Sequence, residues 1–285
     1  MTDTTDYGHD LLFGTFVTPT NRPVHHAVEQ AVVADRAGLD LVTFQDHPYV
    51  AKFHDTSTLL AFAAARTERI RLAANVTSLP LRPPAVLARS IATLDQLSGG
   101  RIELGLGAGA FWDGIVAMGG PRRTPGESIE ALEEAIEIIR GIWDAKNPAV
   151  LSVRGKHYDV HGAKRGPAPA HPVGIWVGAY KPRILRMTGR VADGWLPSLS
   201  YLEGGPSDLA DMNRRIDDAA VGAGRDPRDI RRLLNVGPDQ SAEQLAEIAL
   251  TYGTSGFIVA SDDTATTERF ADEIAPAVRE LVDRG

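Results

Sequence analysis

The stretch RIRLAANVTSLPLRPPAVLARSIATLDQLSGGRIELGLGAG, from Arg69 to Gly109, decides the fold. It holds two short apolar runs of the kind found in strands, Ile70–Val76 and Ile102–Leu106. Between them, apolar residues recur at steps of four and three from Leu87 to Leu94, which predicts a helix with one buried face. The glycines at 99 and 100 end that helix, because glycine accepts the left-handed conformation of a helix C-cap. This β-α-β unit predicts a parallel sheet with further strands on both sides.

The same alternation of strand and helix continues in both directions. The predicted strands are Leu11–Val17, Leu39–Gln45, Ile70–Val76, Ile102–Leu106, Val173–Val177, Ala192–Leu196, Ile230–Val236 and Gly256–Ala260. The predicted helices are Pro23–Ala37, Thr56–Arg66, one from Pro84, one from Thr124, Pro182–Arg190, Ser207–Ala223, Ser241–Tyr252 and Thr264–Arg284. This pattern predicts one α/β domain over residues 1–285, a (β/α)8 TIM barrel, with a doubly wound sheet as the alternative. Residues 145–172 interrupt the alternation and predict an inserted hairpin.

Composition excludes several classes of function. The net charge of −7, without a Lys/Arg cluster, argues against a nucleic-acid or anionic membrane surface. The absence of cysteine excludes disulfides, thiolate nucleophiles and Cys-ligated metals. Neither a secretory leader nor an apolar run of membrane-spanning length is evident. We therefore expect a cytoplasmic protein with a small-molecule substrate.

In a barrel of this kind, chemistry lies at the carboxyl ends of the strands. The strand ends are Thr15–Thr18, Asp46-His47, Asn75–Thr77, Gly107–Gly109, Gly178–Tyr180 and Pro197-Ser198. The pair Asp46-His47 offers an imidazole that exchanges a proton near neutral pH and a carboxylate that holds a polar ring edge. The alternative is a helix-capping aspartate beside a surface histidine.

Two glycine-containing segments suggest ligand contacts. The run from Gly105 to Ala110 matches the dinucleotide pattern G-x-G-x-x-A, but no helix follows directly. We interpret it as bare backbone that a flat ligand approaches closely, with an ordinary glycine-rich turn as the alternative. The segment Gly178–Arg183 opens a helix, so its amides, with the cations Lys181 and Arg183 nearby, can receive a phosphate. Many helix starts look similar without binding anything.

No metal site is expected. His157 and His161 are four residues apart in a segment of β type, where that spacing separates them by about 13 Å. The acidic pair Glu133-Glu134 is interpreted as an exposed helix face.

Three blocks of sequence together resemble the bacterial luciferase-like flavin and deazaflavin oxidoreductases. They are Asp46-His47, the block Leu87–Gly109 and the block Val177–Leu196. The resemblance covers the chain from Leu11 onward. It implies a (β/α)8 barrel with insertions that binds FMN or the deazaflavin coenzyme F420 at its C-terminal mouth, and it implies a homodimer.

The resemblance also implies roles for individual residues. Asn75-Val76 would be a cis peptide behind the ring of the cofactor. The ring and its side chain would meet Gly107, Ala108 and Gly109, and the phosphate would meet Gly178 and Ala179. Asp46 would address the polar ring edge, and His47 would donate or accept the proton. Some sugar-phosphate dehydrogenases of this group carry a Glu where this chain has Ala110, so sugar-phosphate oxidation by that acid is not expected.

These implications favour an F420-dependent oxidoreductase that transfers a hydride to or from a small organic substrate. One alternative is a two-component FMN monooxygenase supplied with reduced flavin by a separate reductase. Another is a non-catalytic flavin-binding relative. A barrel aldolase is disfavoured, because Lys52 and Lys181 do not lie on strands. The aromatic residues available to line an apolar substrate pocket are Phe44, Phe53, Phe111 and Trp112.

Overall fold

The computed structural model describes residues 5–284. Its strands are β1 (Leu12–Val17), β2 (Leu41–Phe44), β3 (Arg71–Ala74), β4 (Thr77–Ser78), β5 (Leu104–Gly107), β6 (Leu151–Arg154), β7 (Asp159–Ala163), β8 (Ile175–Val177), β9 (Gly194–Trp195), β10 (Arg231–Val236) and β11 (Gly256–Ala260). Its helices are α1 (His26–Arg36), α2 (Thr56–Ala64), α3 (Pro84–Ser98), α4 (Trp112–Ala117), α5 (Pro125–Trp143), α6 (Pro182–Val191), α7 (Asp208–Gly222), α8 (Ala242–Tyr252), α9 (Thr264–Arg269) and α10 (Ala275–Asp283).

Nine of these strands form one parallel sheet in the order β3-β2-β1-β11-β10-β9-β8-β5-β4. The two ends of this order, β3 and β4, are separated in the chain only by Asn75 and Val76, so the sheet curls back on itself. Hydrogen bonds from the Leu72 amide to the Arg101 carbonyl (2.8 Å) and from the Glu103 amide to the Leu72 carbonyl (3.0 Å) join β3 to the residues that lead into β5. The barrel prediction is confirmed, and the doubly wound alternative is wrong.

The third predicted strand, Ile70–Val76, is shorter than expected and is followed by a second short strand. β3 ends at Ala74 and β4 begins at Thr77, and the peptide bond between Asn75 and Val76 is cis, as the resemblance implies. β3 pairs with β2, whereas β4 pairs with β5. The interruption therefore lies at the carboxyl end of the strand, facing the barrel mouth.

Alternate residues of the strands point into the barrel or out to the helices. The interior cluster consists of Leu12, Leu41, Ala73, Trp176, Leu196, Leu233 and Ile258. Trp176 fills the space beside two glycines: a Cβ on Gly194 would lie 2.4 Å from Trp176 Cδ1, and one on Gly174 would lie 2.8 Å from its Nε1. The barrel interior is thus a packed core at this level, and open space for a ligand is left to the mouth.

The helices follow the sequence signals closely. α3 ends at Gly99, whose φ of 74° is left-handed, and α5 begins with a capping box between Thr124 and Glu127. α4 was not predicted, since its six residues lie in a glycine-containing segment without a clear periodic pattern. Within residues 5–284, no helix combines the length and the apolar character needed to cross a membrane.

The predicted insertion is an antiparallel hairpin of β6 and β7. Glu134 of α5 binds the turn of this hairpin. Its carboxylate accepts hydrogen bonds from the backbone amides of residues 156 to 158 at 2.8 to 3.0 Å. Glu133 pairs with Arg190 of α6. Glu133 and Glu134 are partly exposed on the helix, as expected, and their carboxylates also join elements that are distant in sequence.

His171 ties the end of the insertion to the N-terminal side of the barrel. Its Nδ1 lies 2.9 Å from Asp95 Oδ1, and its Nε2 lies 3.4 Å from Glu103 Oε1. Glu103 also pairs with Arg71. Hydrogen bonding to Glu103 raises the pKa of His171, partial burial opposes the rise, and hydrogen bonding to Asp95 adds to it.

This arrangement predicts a pH-dependent stability. Because the pKa of His171 is raised on folding, its contribution is complete below the unfolded pKa and is lost as pH rises through the folded pKa. We expect the urea midpoint of the wild type to exceed that of His171→Asn most clearly near pH 6, and the gap to shrink towards about pH 9. The control is His25→Asn, at an exposed histidine. A gap between wild type and His171→Asn that is independent of pH would contradict the prediction.

Candidate active site at the barrel mouth

His47 follows β2 and is half-buried at the C-terminal mouth. Its Nδ1 lies 2.9 Å from the hydroxyl of Tyr49. When Nδ1–H donates to this hydroxyl, the neutral ring leaves Nε2 without a proton and able to accept one. Burial lowers the pKa of His47, and the nearby charge of Asp46 opposes the decrease. The environment therefore favours a neutral imidazole that can accept a proton at neutral pH.

Aromatic rings surround this imidazole. The ring centroid of Phe111 lies 5.2 Å from that of His47, and the centroid of Phe53 lies 6.5 Å away. α4 closes against Tyr49 at Gly114, where a Cβ would lie 2.6 Å from the Tyr49 ring. Phe111 is 58% exposed, so one aromatic face borders the opening. Phe44, also considered as pocket lining, is fully buried, because it faces the helices rather than the barrel interior.

The carboxylate of Asp46 is bound within the protein. Its Oδ1 accepts a hydrogen bond from Arg82 Nη2 at 2.8 Å. Its Oδ2 accepts hydrogen bonds from Arg82 Nε at 2.9 Å and from the Ser78 amide at 3.0 Å. The side chain is 1% exposed. Asp46 lies at the mouth, but its oxygens join two loops of the protein. Its roles in cofactor binding and catalysis stay predictions.

The floor of the mouth is a network of polar side chains inside the barrel. Asn75 Nδ2 donates to Asn235 Oδ1 at 2.7 Å and to Thr43 Oγ1 at 3.2 Å. Asn235 Nδ2 lies 3.2 Å from Ser198 Oγ and 3.3 Å from the Pro197 carbonyl. Side chains from β2, β10 and the loops after β3 and β9 are thus linked beneath the cis peptide.

The glycines within and after β5 lie directly against other parts of the chain. A Cβ on Gly107 would lie 2.6 Å from Val76 Cγ2, and one on Gly105 would lie 2.0 Å from the Ala74 carbonyl oxygen. Gly109 has a φ of 97°, and a Cβ there would lie 2.7 Å from Pro80 Cγ. Side chains and backbone of this same chain therefore explain why residues 105, 107 and 109 are glycine. Contacts of Gly107, Ala108 and Gly109 with a cofactor stay predictions.

The end of β8 leads into the first turn of α6. The Ala179 side chain is buried and its carbonyl accepts a hydrogen bond from Trp195 Nε1 at 2.9 Å. Gly178 has more room, since a Cβ there would lie 3.6 Å from the nearest atoms, which belong to Val76. Lys181 is exposed at the helix start, whereas Arg183 is paired with Glu130 at 2.9 Å. Of the two predicted cations, Arg183 is thus already engaged by a carboxylate.

Sequence reasoning missed three residues of this site. Tyr49 lies two residues beyond His47, but a histidine followed by a tyrosine carries no specific signal. Arg82 lies in a proline-rich turn, where nothing indicates its partners. Asn235 had a usable signal, because it is a polar residue near the carboxyl end of the seventh predicted strand, a strand end that was not among the candidates.

Curated relatives match parts of this chain. The F420-dependent glucose-6-phosphate dehydrogenase of Amycolatopsis mediterranei (strain U-32) is 33% identical over 175 residues, which are 59% of this chain and 52% of that protein. The phthiodiolone/phenolphthiodiolone dimycocerosates ketoreductase of Mycobacterium tuberculosis (strain ATCC 25618 / H37Rv) is 35% identical over 186 residues, which are 63% of this chain and 46% of that protein. The chain spans about half the length of these curated relatives.

Solved structures share the fold over nearly the whole chain. An F420-dependent secondary alcohol dehydrogenase in complex with an F420-acetone adduct has a TM-score of 0.82 at 18% identity, covering 95% of this chain and 99% of that one. A type II Baeyer-Villiger monooxygenase component from Pseudomonas putida, in complex with FMN, has a TM-score of 0.74 at 19% identity, covering 94% and 98%. The family model described as luciferase-like monooxygenase matches residues 10–276. This chain therefore belongs to the luciferase-like monooxygenase family.

Proposed function

We propose that this protein is an F420-dependent oxidoreductase that transfers a hydride between the deazaflavin and a small organic substrate. The observation that carries the proposal is the half-buried imidazole of His47 at the barrel mouth, hydrogen-bonded to Tyr49 and flanked by Phe111. The names of the relatives support this class of reaction, since they include F420-dependent enzymes and a ketoreductase.

The mouth has the features that a deazaflavin requires. A tricyclic ring needs an apolar wall, and Val76 is half-buried at the strand interruption. Its polar edge needs hydrogen-bond partners, and the side chains of Asn75 and Ser198 are also only partly buried. A phosphate needs amides and a cation, and the start of α6 offers both near Lys181. These residues fit the group, and we assign Asn75, Val76, Gly107, Ala108, Gly109, Gly178 and Ala179 to its binding.

When bound, F420 supplies the two-electron hydride chemistry. The protein provides orientation and a place for the proton. In the oxidative direction the substrate hydroxyl loses its proton to Nε2 of neutral His47 while its carbon loses the hydride. This role follows the lowered pKa of His47, because a neutral imidazole accepts the proton. The hydrogen bond between Tyr49 and Nδ1 orients the ring, so that Nε2 faces the substrate.

Titration of the purified protein with F420 and with FMN, each oxidised and reduced, tests the cofactor. We expect F420 to bind in the micromolar range or tighter and FMN to bind negligibly, as followed by fluorescence and absorbance. If reduced FMN alone bound, a two-component monooxygenase with a separate reductase would replace this proposal. If neither bound, the cofactor assignment would fail. Homodimerisation stays a prediction and is measured in the same samples by light scattering.

A further inference from the structure

Arg82 connects three parts of the barrel mouth. Its guanidinium forms a forked pair with Asp46, through Nε at 2.9 Å and Nη2 at 2.8 Å, and Nη2 also lies 2.7 Å from Asp55 Oδ2. The Arg82 side chain is 17% exposed and that of Asp46 is 1% exposed. Forked arginine-carboxylate pairs fix geometry as well as charge. A lysine cannot reproduce that fork, because its ammonium group is a point charge.

The three parts are the beginning and end of the loop between β2 and α2 and the segment that follows the cis peptide. Asp46 precedes His47 directly, and Asp55 caps α2 by accepting a hydrogen bond from the Thr58 amide at 2.9 Å. Ser78, in β4, donates its amide to Asp46 at 3.0 Å. The pair of Arg82 with Asp46 therefore fixes the loop that carries His47 relative to the floor of the mouth.

The same contacts reach His47 through Asp46, whose charge opposes the lowering of the imidazole pKa by burial. The titratable and charged groups around it are Asp46, Tyr49, Asp55, Arg82 and, beyond Phe111, Asp113, which is paired with Arg122. Asp46 is adjacent in the chain, and its charge tends to keep the imidazole protonated. Arg82 offsets that charge and occupies both carboxylate oxygens. The His47 ring itself is hydrogen-bonded to Tyr49.

We propose that Arg82 is a positioning residue that neutralises and immobilises Asp46, so that His47 is presented to the mouth as a neutral imidazole. The assignment rests on the proposed function, because His47 matters only if it exchanges a proton there. Arg82 itself touches neither substrate nor cofactor in this proposal. Its effect passes through Asp46.

The test is the titration of the His47 ring by NMR in the protein without cofactor, with the signal assigned by its loss in His47→Asn. In Arg82→Gln, the unpaired Asp46 carboxylate should raise the pKa of His47 by about one unit or more. Arg82→Lys keeps the charge and should return the pKa most of the way to the wild-type value. The double variant Asp46→Asn/Arg82→Gln removes both charges and should also restore it. Arg190→Gln, which breaks the exposed pair with Glu133, is the matched control and should not move it.

A pKa of His47 that is unchanged in Arg82→Gln would overturn the proposal. An equal shift of this pKa in all three Arg82 variants would also overturn it, because it would indicate a general disturbance of the loop. Should Arg82→Gln fail to fold, comparison of Arg82→Lys with the double variant still decides, because the double variant leaves no unpaired buried charge. The pKa of His47 in both variants must then match the wild-type value within a few tenths of a unit. The NMR readout needs no cofactor, so failure of the F420 titration and failure of this proposal are separate results.

Discussion

Replacing His47 by asparagine should slow hydride transfer by about 10²- to 10⁴-fold, the range expected when a general acid-base group is removed. Asparagine keeps a polar group near Tyr49 but cannot accept the substrate proton. Cofactor affinity should change little, because the residues assigned to cofactor binding are elsewhere on the mouth. The measurement is single-turnover reduction of F420, followed by loss of its absorbance, with a small organic substrate that the wild type oxidises.

The pH dependence adds a second check on His47. The rate of the wild type should fall as pH drops through the lowered pKa of His47, because the protonated ring no longer accepts a proton. In His47→Asn that decrease should be absent. His161→Asn, on the exposed face of β7, is the matched control and should behave as wild type. Loss of F420 binding together with turnover in His47→Asn would indicate that His47 serves the cofactor rather than the proton.

Substituting alanine for Gly107 should destabilise the protein by about 1–3 kcal/mol, the usual cost of adding volume to a packed site. The new Cβ would lie 2.6 Å from Val76 Cγ2 and 3.4 Å from the Thr77 carbonyl oxygen. Val76 has little freedom to move, because a β-branched side chain is stiff at χ1. Displacement of Val76 should also weaken F420 binding. Urea denaturation and the cofactor titration measure the two effects.

A compensating change distinguishes this clash from a general intolerance of alanine. In Val76→Ala/Gly107→Ala the offending methyl groups are gone, and we expect most of the lost stability to return relative to Gly107→Ala alone. The control is Gly222→Ala at the end of α7, where no atom lies within 4 Å of the new Cβ. That variant should be neutral or more stable by about 0.5 kcal/mol. If Gly107→Ala were as stable as the wild type, the packing of Val76 against β5 would be refuted.

Much of the barrel is encoded in local sequence patterns. The alternation of apolar runs and periodic helices identifies the strand positions, and the capping box of Thr124 with Glu127 fixes the start of α5 from four consecutive residues. The strand-end rule alone is enough to place His47 at the mouth. These features depend on neighbours in the chain, which is why they can be read directly. The sequence did not predict α4, because its short segment lacks such a pattern.

The interruption between β3 and β4 at Asn75-Val76 shows what a pattern alone misses. The run Ile70–Val76 has the composition of one uninterrupted strand, and the expectation of a cis bond came only from the resemblance. Bare backbone at Gly107 suggested a ligand, which stays a prediction, and the structure adds a second reason for glycine there, because Val76 lies beside it. A sequence reveals that a side chain is absent, but it does not reveal what occupies the space.

The sequence by itself determined the order of strands and helices, the inserted hairpin and the mouth position of His47, because each depends on residues close together in the chain. Only the tertiary structure decided the partners of the polar side chains. Arg82 reaches Asp46 across 36 positions, and Asn75 reaches Asn235 across 160. Those contacts exist because barrel closure brings distant strand ends to one mouth, where buried polar groups pair with whatever donor or acceptor the closed sheet places beside them.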